Sequence, residues 1–404
     1  MEQNGNQVFK TDTMMATRLA SVPFSGIRKV LDAVTALQAK GVDVIKWQIG
    51  RTDFDTPEHI KKAAADALMR GEVHYAPNLG IPSLRKAIGA RTALDTGVPV
   101  DGEKQAAVMA GANEGILVAM TAFVNPGDEV LVADPNWHHY KSIASLVGGV
   151  PVEVPTSEKD GFVLDPYEVE KRITSRTKML CVTSPGNPTG GAQSAESLKE
   201  LARIAIKHNL VVLSDEIYAR IWYGKGPVAP SIYSLPGMPE RTIIINGFTK
   251  TYAMDGWRLG WTVASETNTR ALLKVRQYTT VCVNTFAQHG ATVALTGDQK
   301  CVDDMVAEFA KRRKIMLEGL RAIPGVKVGD PLGAFYVFPD ISSFGLSSAA
   351  MSDYLIEKHA IATVAGSVFG PAGEGHLRMA YSCSTEECAR GVARLKTALA
   401  ELKK

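Results

Sequence analysis

Lys250 and Arg258 stand eight residues apart in INGFTKTYAMDGWRLGW (residues 245–261), directly after the apolar run RTIII. A lysine taken alone is most often a solvated surface charge. At the mouth of a buried strand, beside another cation, its amine would lose part of its proton affinity and become a nucleophile or a base. Other polar residues fall at comparable places. Gly111-Ala112-Asn113 follows AAVM and opens a helical pattern, and Asn136-Trp137 follows EVLVADP. Asn187 sits in SPGNPTG after KMLCVT, and Asp215 closes LVVLSD with Tyr218 three residues on.

This set matches the functional groups of one cofactor, pyridoxal 5'-phosphate. A phosphate is held by backbone N–H groups at a helix start and by an arginine fork, which Gly111, Ala112, Asn113, Thr249 and Arg258 supply. A pyridine ring needs a flat partner, as Trp137 is, and a carboxylate such as Asp215 keeps its nitrogen protonated. Asn187 and Tyr218 offer donors to a ring oxygen, and Lys250 offers an amine to an aldehyde. Plainer roles stand beside these. Asp215 could cap a following helix, Asn187 could form a turn before Pro188, and Trp137 could fill the core. Arg378, in the apolar stretch HLRMAYS, could be a structural ion-pair partner. His138-His139 does not suggest a metal site, because adjacent residues point to different faces and no acidic or thiol set lies nearby at metal spacing.

The elements that must position these residues follow from hydrophobic periodicity. SGIRKVLDAVTALQAKG has helical spacing at Ile27, Val30, Leu31, Val34 and Leu37 and closes at Gly41. DTPEHIKKAAADALMRG is expected to be a helix capped by Thr56, with Pro57 in its first turn and a stop at Gly71. From about residue 105, short apolar strands (AAVMAG, EVLVADP, VPVEVP, KMLCVTSP, LVVLSDE, RTIIING) alternate with amphipathic helices. That alternation predicts an α/β fold, with a mainly parallel doubly wound sheet. Ligands of such sheets bind beyond the carboxyl ends of the strands, so the polar residues above should converge. After residue 290 a long helix and short strands predict a smaller α+β domain. The expected division is an N-terminal arm and helix over 1–50 that join the small domain, a large domain over 51–289 and the small domain over 290–404. GAFYVFPD reads as a core strand from which Phe335 and Tyr336 could wall a pocket.

The 404 residues are 45% hydrophobic and 22% charged, with a net charge of +3. That composition is of an ordinary globular protein and gives no support to nucleic-acid or membrane binding. Five cysteines without C-x-x-C spacing argue against a disulfide framework or a zinc site, so a reducing cytoplasm is expected. Cys383 and Cys388 read as fillers rather than redox groups. The polar beginning reads as a mobile arm rather than a secretory signal, and no apolar run is long enough to span a bilayer.

SPGNPTG, SDEIY, NGFTKTYAMDGWRLGW and HLRMAYS, in that order and spacing, resemble the motifs of the class I/II aminotransferases, fold-type I pyridoxal phosphate enzymes. The aspartate and aromatic aminotransferase subgroup is the most similar in look, and the resemblance runs from about Ser25 to the C-terminus. It implies that Lys250 is the Schiff-base lysine, that Asp215 pairs with the pyridine nitrogen, and that Asn187 and Tyr218 bond the ring oxygen. It implies that Trp137 stacks on the ring, and that Arg258, Thr249 and Gly111 to Asn113 hold the phosphate. Arg378 resembles the arginine that grips the substrate α-carboxylate, and Gly50 matches a position whose backbone approaches that carboxylate. Trp137 and Asn187 also face substrate in that picture. Tyr75 resembles a tyrosine that reaches the phosphate of a neighbouring subunit, which implies a homodimer with shared active sites. The expected reaction moves an amino group between an L-amino acid, of aspartate type, and a 2-oxo acid. Lyase, cyclase or oxidase chemistry on the same cofactor is the alternative, and a non-catalytic binding protein is a further one. Three residues depart from the family's usual pattern, and Gly186, where an asparagine is common in SPGNPTG, should be tolerated in a turn. Asp255 replaces the more usual threonine, and its carboxylate could point toward the phosphate or away. Arg51 could face the pocket and favour an acidic side chain, or pair with Asp53 or Asp55.

Overall fold

A computed structural model describes residues 15–24 and 26–402. Residues 1–14 of the expected arm, and Ser25 at the start of the family resemblance, lie outside the described residues. The strands are β1 (Ile45–Lys46), β2 (Ala106–Met109), β3 (Glu129–Asp134), β4 (Val150–Pro155), β5 (Thr177–Thr183) and β6 (Val211–Asp215). They continue with β7 (Thr242–Gly247), β8 (Gly260–Val263), β9 (Tyr336–Val337), β10 (Ile361–Ala362), β11 (Val364–Ala365) and β12 (Leu377–Ala380).

Seven of them form one sheet in the order β2-β8-β7-β6-β5-β3-β4. The five strands from β3 to β7 are parallel to one another, as the strand–helix alternation predicted. The residues of β2 are all buried, and those of β6 and β7 nearly so. Burial on both faces is why these strands read as unbroken apolar runs rather than alternating ones. β8 was not among the expected strands. It runs antiparallel between β7 and β2 and makes the sheet mixed. Its short GWTV sequence follows a polar loop directly, so no turn signal announces it.

The remaining strands make two small sheets. β11, β12 and β9 are antiparallel, and β1 pairs in parallel with β10. The amide of Ala380 on β12 also donates to the Trp47 carbonyl at 2.8 Å. Residues 45–50 are thereby laid beside the strand that carries Arg378. Their core joins Trp47, Phe335, Tyr381 and the apolar face of the helix Lys300–Arg321.

The helix expected to be capped by Thr56 spans Glu58–Met69, and Pro57 occupies its cap position without a side-chain cap. The Thr56 hydroxyl donates instead to the Ala253 carbonyl at 2.6 Å. A buried partner across the chain has replaced the local one. Cys388 is buried as a filler, with the Cys383 sulfur 3.6 Å from its own. Among the described residues no helix is long and apolar enough to cross a membrane.

Candidate active site

The ends of β3, β5, β6 and β7 open onto one cavity of about 340 Å³. β3 leads outward to β4, whereas β5 leads the other way to β6 and β7. A crevice is expected where the strand order reverses in this manner.

Lys250 and Arg258 meet because β7 and β8 are antiparallel neighbours. Gly247 pairs with Gly260, so residues 248–259 form a loop pinned at both ends. A Cβ on Gly260 would lie 2.6 Å from the Ala112 nitrogen. Glycine there lets the start of the helix Ala112–Phe123 come up against the loop. Gly111, with φ of 83°, turns the chain into that helix, and a Cβ on it would meet Arg258 Nη2 at 2.5 Å. Ala112, Asn113, Thr249 and Arg258 consequently line the cavity together. Free N–H groups at a helix start beside a guanidinium form an anion-binding arrangement. Arg258 adopts φ of 54°, a left-handed conformation uncommon outside glycine. Its Nη1 donates to the Asp255 carbonyl at 2.9 Å.

The Lys250 amine donates to the Gly50 carbonyl at 2.5 Å. Burial pushes its pKa down to about 8; the Asp255 carboxylate opposes that shift, Arg378 and Arg258 reinforce it, and Asp215 opposes it. Such an amine sheds its proton much closer to neutrality than a surface lysine does.

Asp215 is the buried last residue of β6. Its Oδ1 accepts from the Ile217 N–H at 3.1 Å and its Oδ2 from the Tyr140 hydroxyl at 2.5 Å. Burial raises its pKa to about 6, while the Tyr140 bond, the Ile217 N–H and the Lys250 charge oppose a larger rise. No helix follows for Asp215 to cap; one oxygen holds a turn instead, and the carboxyl still lines the cavity.

Arg378 is only 2% exposed. Its guanidinium lies 4.9 Å from the Tyr336 ring centre and 5.1 Å from that of Phe369. Nη1 donates to Asn187 Oδ1 at 3.2 Å and Nη2 to the Gln48 carbonyl at 2.5 Å. Nε is buried without a hydrogen-bond partner, and among the described residues no carboxylate forms an ion pair with Arg378. A buried guanidinium facing a cavity without its anion is ready to take a carboxylate. Gly50 stands close by, since a Cβ on it would fall 2.0 Å from the Tyr336 hydroxyl. That hydroxyl lies 2.8 Å from the hydroxyl of Tyr218.

The sequence matches the family of class I and II aminotransferases over residues 42–395. It is 40% identical to an aspartate aminotransferase of Pyrococcus abyssi over 96% of this chain and 99% of that protein. It is 39% identical, with the same coverage, to aromatic-amino-acid aminotransferase 2 of Thermococcus litoralis. The fold is similar to a solved structure of Thermus thermophilus aspartate aminotransferase with maleate. The TM-score is 0.89 at 36% identity, covering 95% of this chain and 99% of that one. The chain belongs to the class I and II aminotransferase family.

In this aminotransferase Gly50, Ala112, Asn113, Trp137, Asn187, Asp215, Tyr218, Thr249, Lys250, Arg258 and Arg378 all line the one cavity. Gly111 lies just behind, against Arg258. Tyr75 is not among them. It is 90% exposed and borders a separate surface hollow with Cys282 and Phe286. Sequence reasoning missed Tyr140, whose only signal was its place three residues after Trp137. It also missed His139, which stacks on the Trp137 ring with centres 3.8 Å apart. Among the described residues no group of three His, Cys, Asp or Glu side chains could hold a metal ion. Tyr336 lines the cavity, whereas Phe335 packs beneath it with its ring 5.7 Å from the Lys250 amine. Arg51 pairs with neither of its expected partners. Asp53 is taken in a two-bond grip by Arg312, and Asp55 binds Lys61. Arg51 reaches Asp255 instead.

Proposed function

We propose that this aminotransferase uses pyridoxal 5'-phosphate to move an amino group from an L-amino acid of aspartate type to a 2-oxo acid. One observation carries the reading: a lysine of lowered proton affinity, a buried carboxylate and two arginines that form no ion pair with a carboxylate among the described residues all face one cavity. The residues fit the cofactor. Arg258, Thr249 and the helix start at Gly111 to Asn113 would hold its phosphate. Asp215 would keep a proton on the ring nitrogen, Asn187 and Tyr218 would bond the ring oxygen, and Trp137 would cover one face. When bound, the group supplies an aldehyde that takes the amino group and a ring that receives electrons from the substrate carbon.

The chain's own residues do the rest. Arg378 binds the substrate α-carboxylate, with the Gly50 backbone beside it, and sets the Cα–H bond toward Lys250. Lys250 would be the lysine that holds the cofactor as a Schiff base until substrate is bound. Its amine then acts as the general base that moves the Cα proton. Aspartate is the favoured donor because a relative at 40% identity is named an aspartate aminotransferase, with aromatic amino acids second because one at 39% is named for them.

The same reading extends to organisation. The 1–50, 51–289 and 290–404 divisions would act as arm, large domain and small domain, the last closing over substrate. An exposed Tyr75 suits a residue that completes the site of a second copy, and five unpaired cysteines suit the cytoplasm.

The test is a panel of aspartate, glutamate, alanine and aromatic amino acids, each mixed with the cofactor-loaded protein and followed by cofactor absorbance. Aspartate should convert the cofactor to its amine form fastest, with one 2-oxo acid released per site and no ammonia. Release of ammonia, or no conversion with any amino acid, would contradict the proposal.

A further inference from the structure

Two of the residues that depart from the family's pattern, Arg51 and Asp255, meet. Arg51 Nε lies 3.4 Å from Asp255 Oδ2, with the side chains 67% and 37% exposed. So exposed a pair adds little to stability, and its significance lies in what flanks it. Arg51 follows Gly50, whose carbonyl accepts from the Lys250 amine. Asp255 lies in the lysine loop, and its own carbonyl accepts from Arg258. The Gly50–Arg51 segment is therefore tied to that loop twice, through Lys250 and through Asp255. The first tie ends whenever the Lys250 amine takes up another bond. The second does not depend on the state of the amine.

We propose that Arg51 and Asp255 are a positioning pair for Lys250, holding the Gly50 segment against the lysine loop and balancing the charge around the amine. The proposal rests on the reading of Lys250 as the reacting amine. The charged groups that face Lys250 are Asp255, Arg378, Arg258 and Asp215. Arg378 and Arg258 have the substrate and phosphate ends of the cavity to serve, and Asp215 is engaged by Tyr140 and Ile217. Asp255 alone of the four has its carboxylate bound to a surface cation outside the cavity lining. Its negative charge holds the Lys250 proton on against burial, and Arg51 tempers that charge.

The two members thus act on the amine in opposite directions. Asp255→Asn releases the proton at lower pH. Arg51→Gln leaves the Asp255 carboxylate unshielded and holds the proton to higher pH. The double variant returns toward the parent. A pair that served only as a brace would move both single variants the same way.

The direct readout is the pH dependence of Lys250 acylation in the full-length chain freed of bound aldehyde, followed by peptide mass spectrometry. At pH 7 the acylation rate of Lys250 should rise about two- to fivefold in Asp255→Asn and fall by a similar factor in Arg51→Gln. Asp255→Glu should restore the parent profile. In the cofactor-loaded protein, the pH midpoint of the cofactor absorbance should move in the same two directions. Shifts of both single variants in one direction, or no shift in either, would overturn the proposal. Acylation needs no cofactor, so a parent protein that fails to take up pyridoxal phosphate would count against the assigned role of Lys250 while leaving this comparison readable.

Discussion

In the Lys250→Ala protein, transfer of the amino group from aspartate to a 2-oxo acid is expected to fall by at least about 10²–10⁴-fold, the usual contribution of a positioned general base. The loss should exceed that figure if the amine also carries the cofactor, because a second role disappears with it. Folding should be spared. Among the described residues the side chain forms one hydrogen bond, to the Gly50 carbonyl, and the loop that carries it is pinned by the pairing of Gly247 with Gly260. Alanine also removes a buried amine whose charged form burial disfavours. Steady-state transfer rates with circular dichroism as a control check the expectation. Unreduced turnover in a folded Lys250→Ala protein would mean that another group moves the Cα proton.

The second large effect is expected at Arg378. Arg378→Lys keeps the charge and loses the fork. The guanidinium holds Asn187 and the Gln48 carbonyl with two nitrogens and lies between two rings, and its Nε is buried without a partner. A lysine ammonium is a point charge that cannot keep those contacts and also grip both oxygens of a carboxylate. Losing one charge-assisted hydrogen bond of about 1.5–3 kcal/mol corresponds to roughly a 10- to 100-fold fall in kcat/KM. The fall should appear mainly as a higher KM, because the α-carboxylate is bound before and during proton transfer. The KM for the amino acid and that for the 2-oxo acid should rise together, since both carry the same group. A fall in kcat at unchanged KM would mean that Arg378 acts in the proton-transfer step rather than in holding the bound carboxylate.

Much of this site was legible in the sequence because the fold does the assembling. Asn187, Asp215 and Lys250 each stand at or just beyond the end of an apolar strand, and parallel neighbours carry such ends to the same edge. Local pattern was enough to find β2 to β7, and their ends were enough to find these three residues. What escaped notice depended on contacts between distant segments. Tyr140 looks like an ordinary helix residue until its hydroxyl is set on Asp215, 75 residues away. Thr56 carries the local signature of a cap, but Pro57 takes that place and the hydroxyl finds the Ala253 carbonyl. Arg51 had two acidic neighbours within reach along the chain, yet both were claimed by other cations. β8 is four residues of Gly, Trp, Thr and Val between a polar loop and a helix. Its pairing with β7 and β2 depends on those strands being in place. It is also the element that turns Arg258 back toward Lys250, so the shortest strand of the large sheet, with β2, explains the spacing of its two cations.

The most direct measurement of Lys250's role is chemical trapping. The protein is mixed with pyridoxal 5'-phosphate, reduced with borohydride, digested and examined by peptide mass spectrometry. A stable addition on Lys250, absent from the Lys250→Ala protein, is the expected result. Addition at another lysine, or none at all, would contradict the assignment of this cavity as the cofactor site.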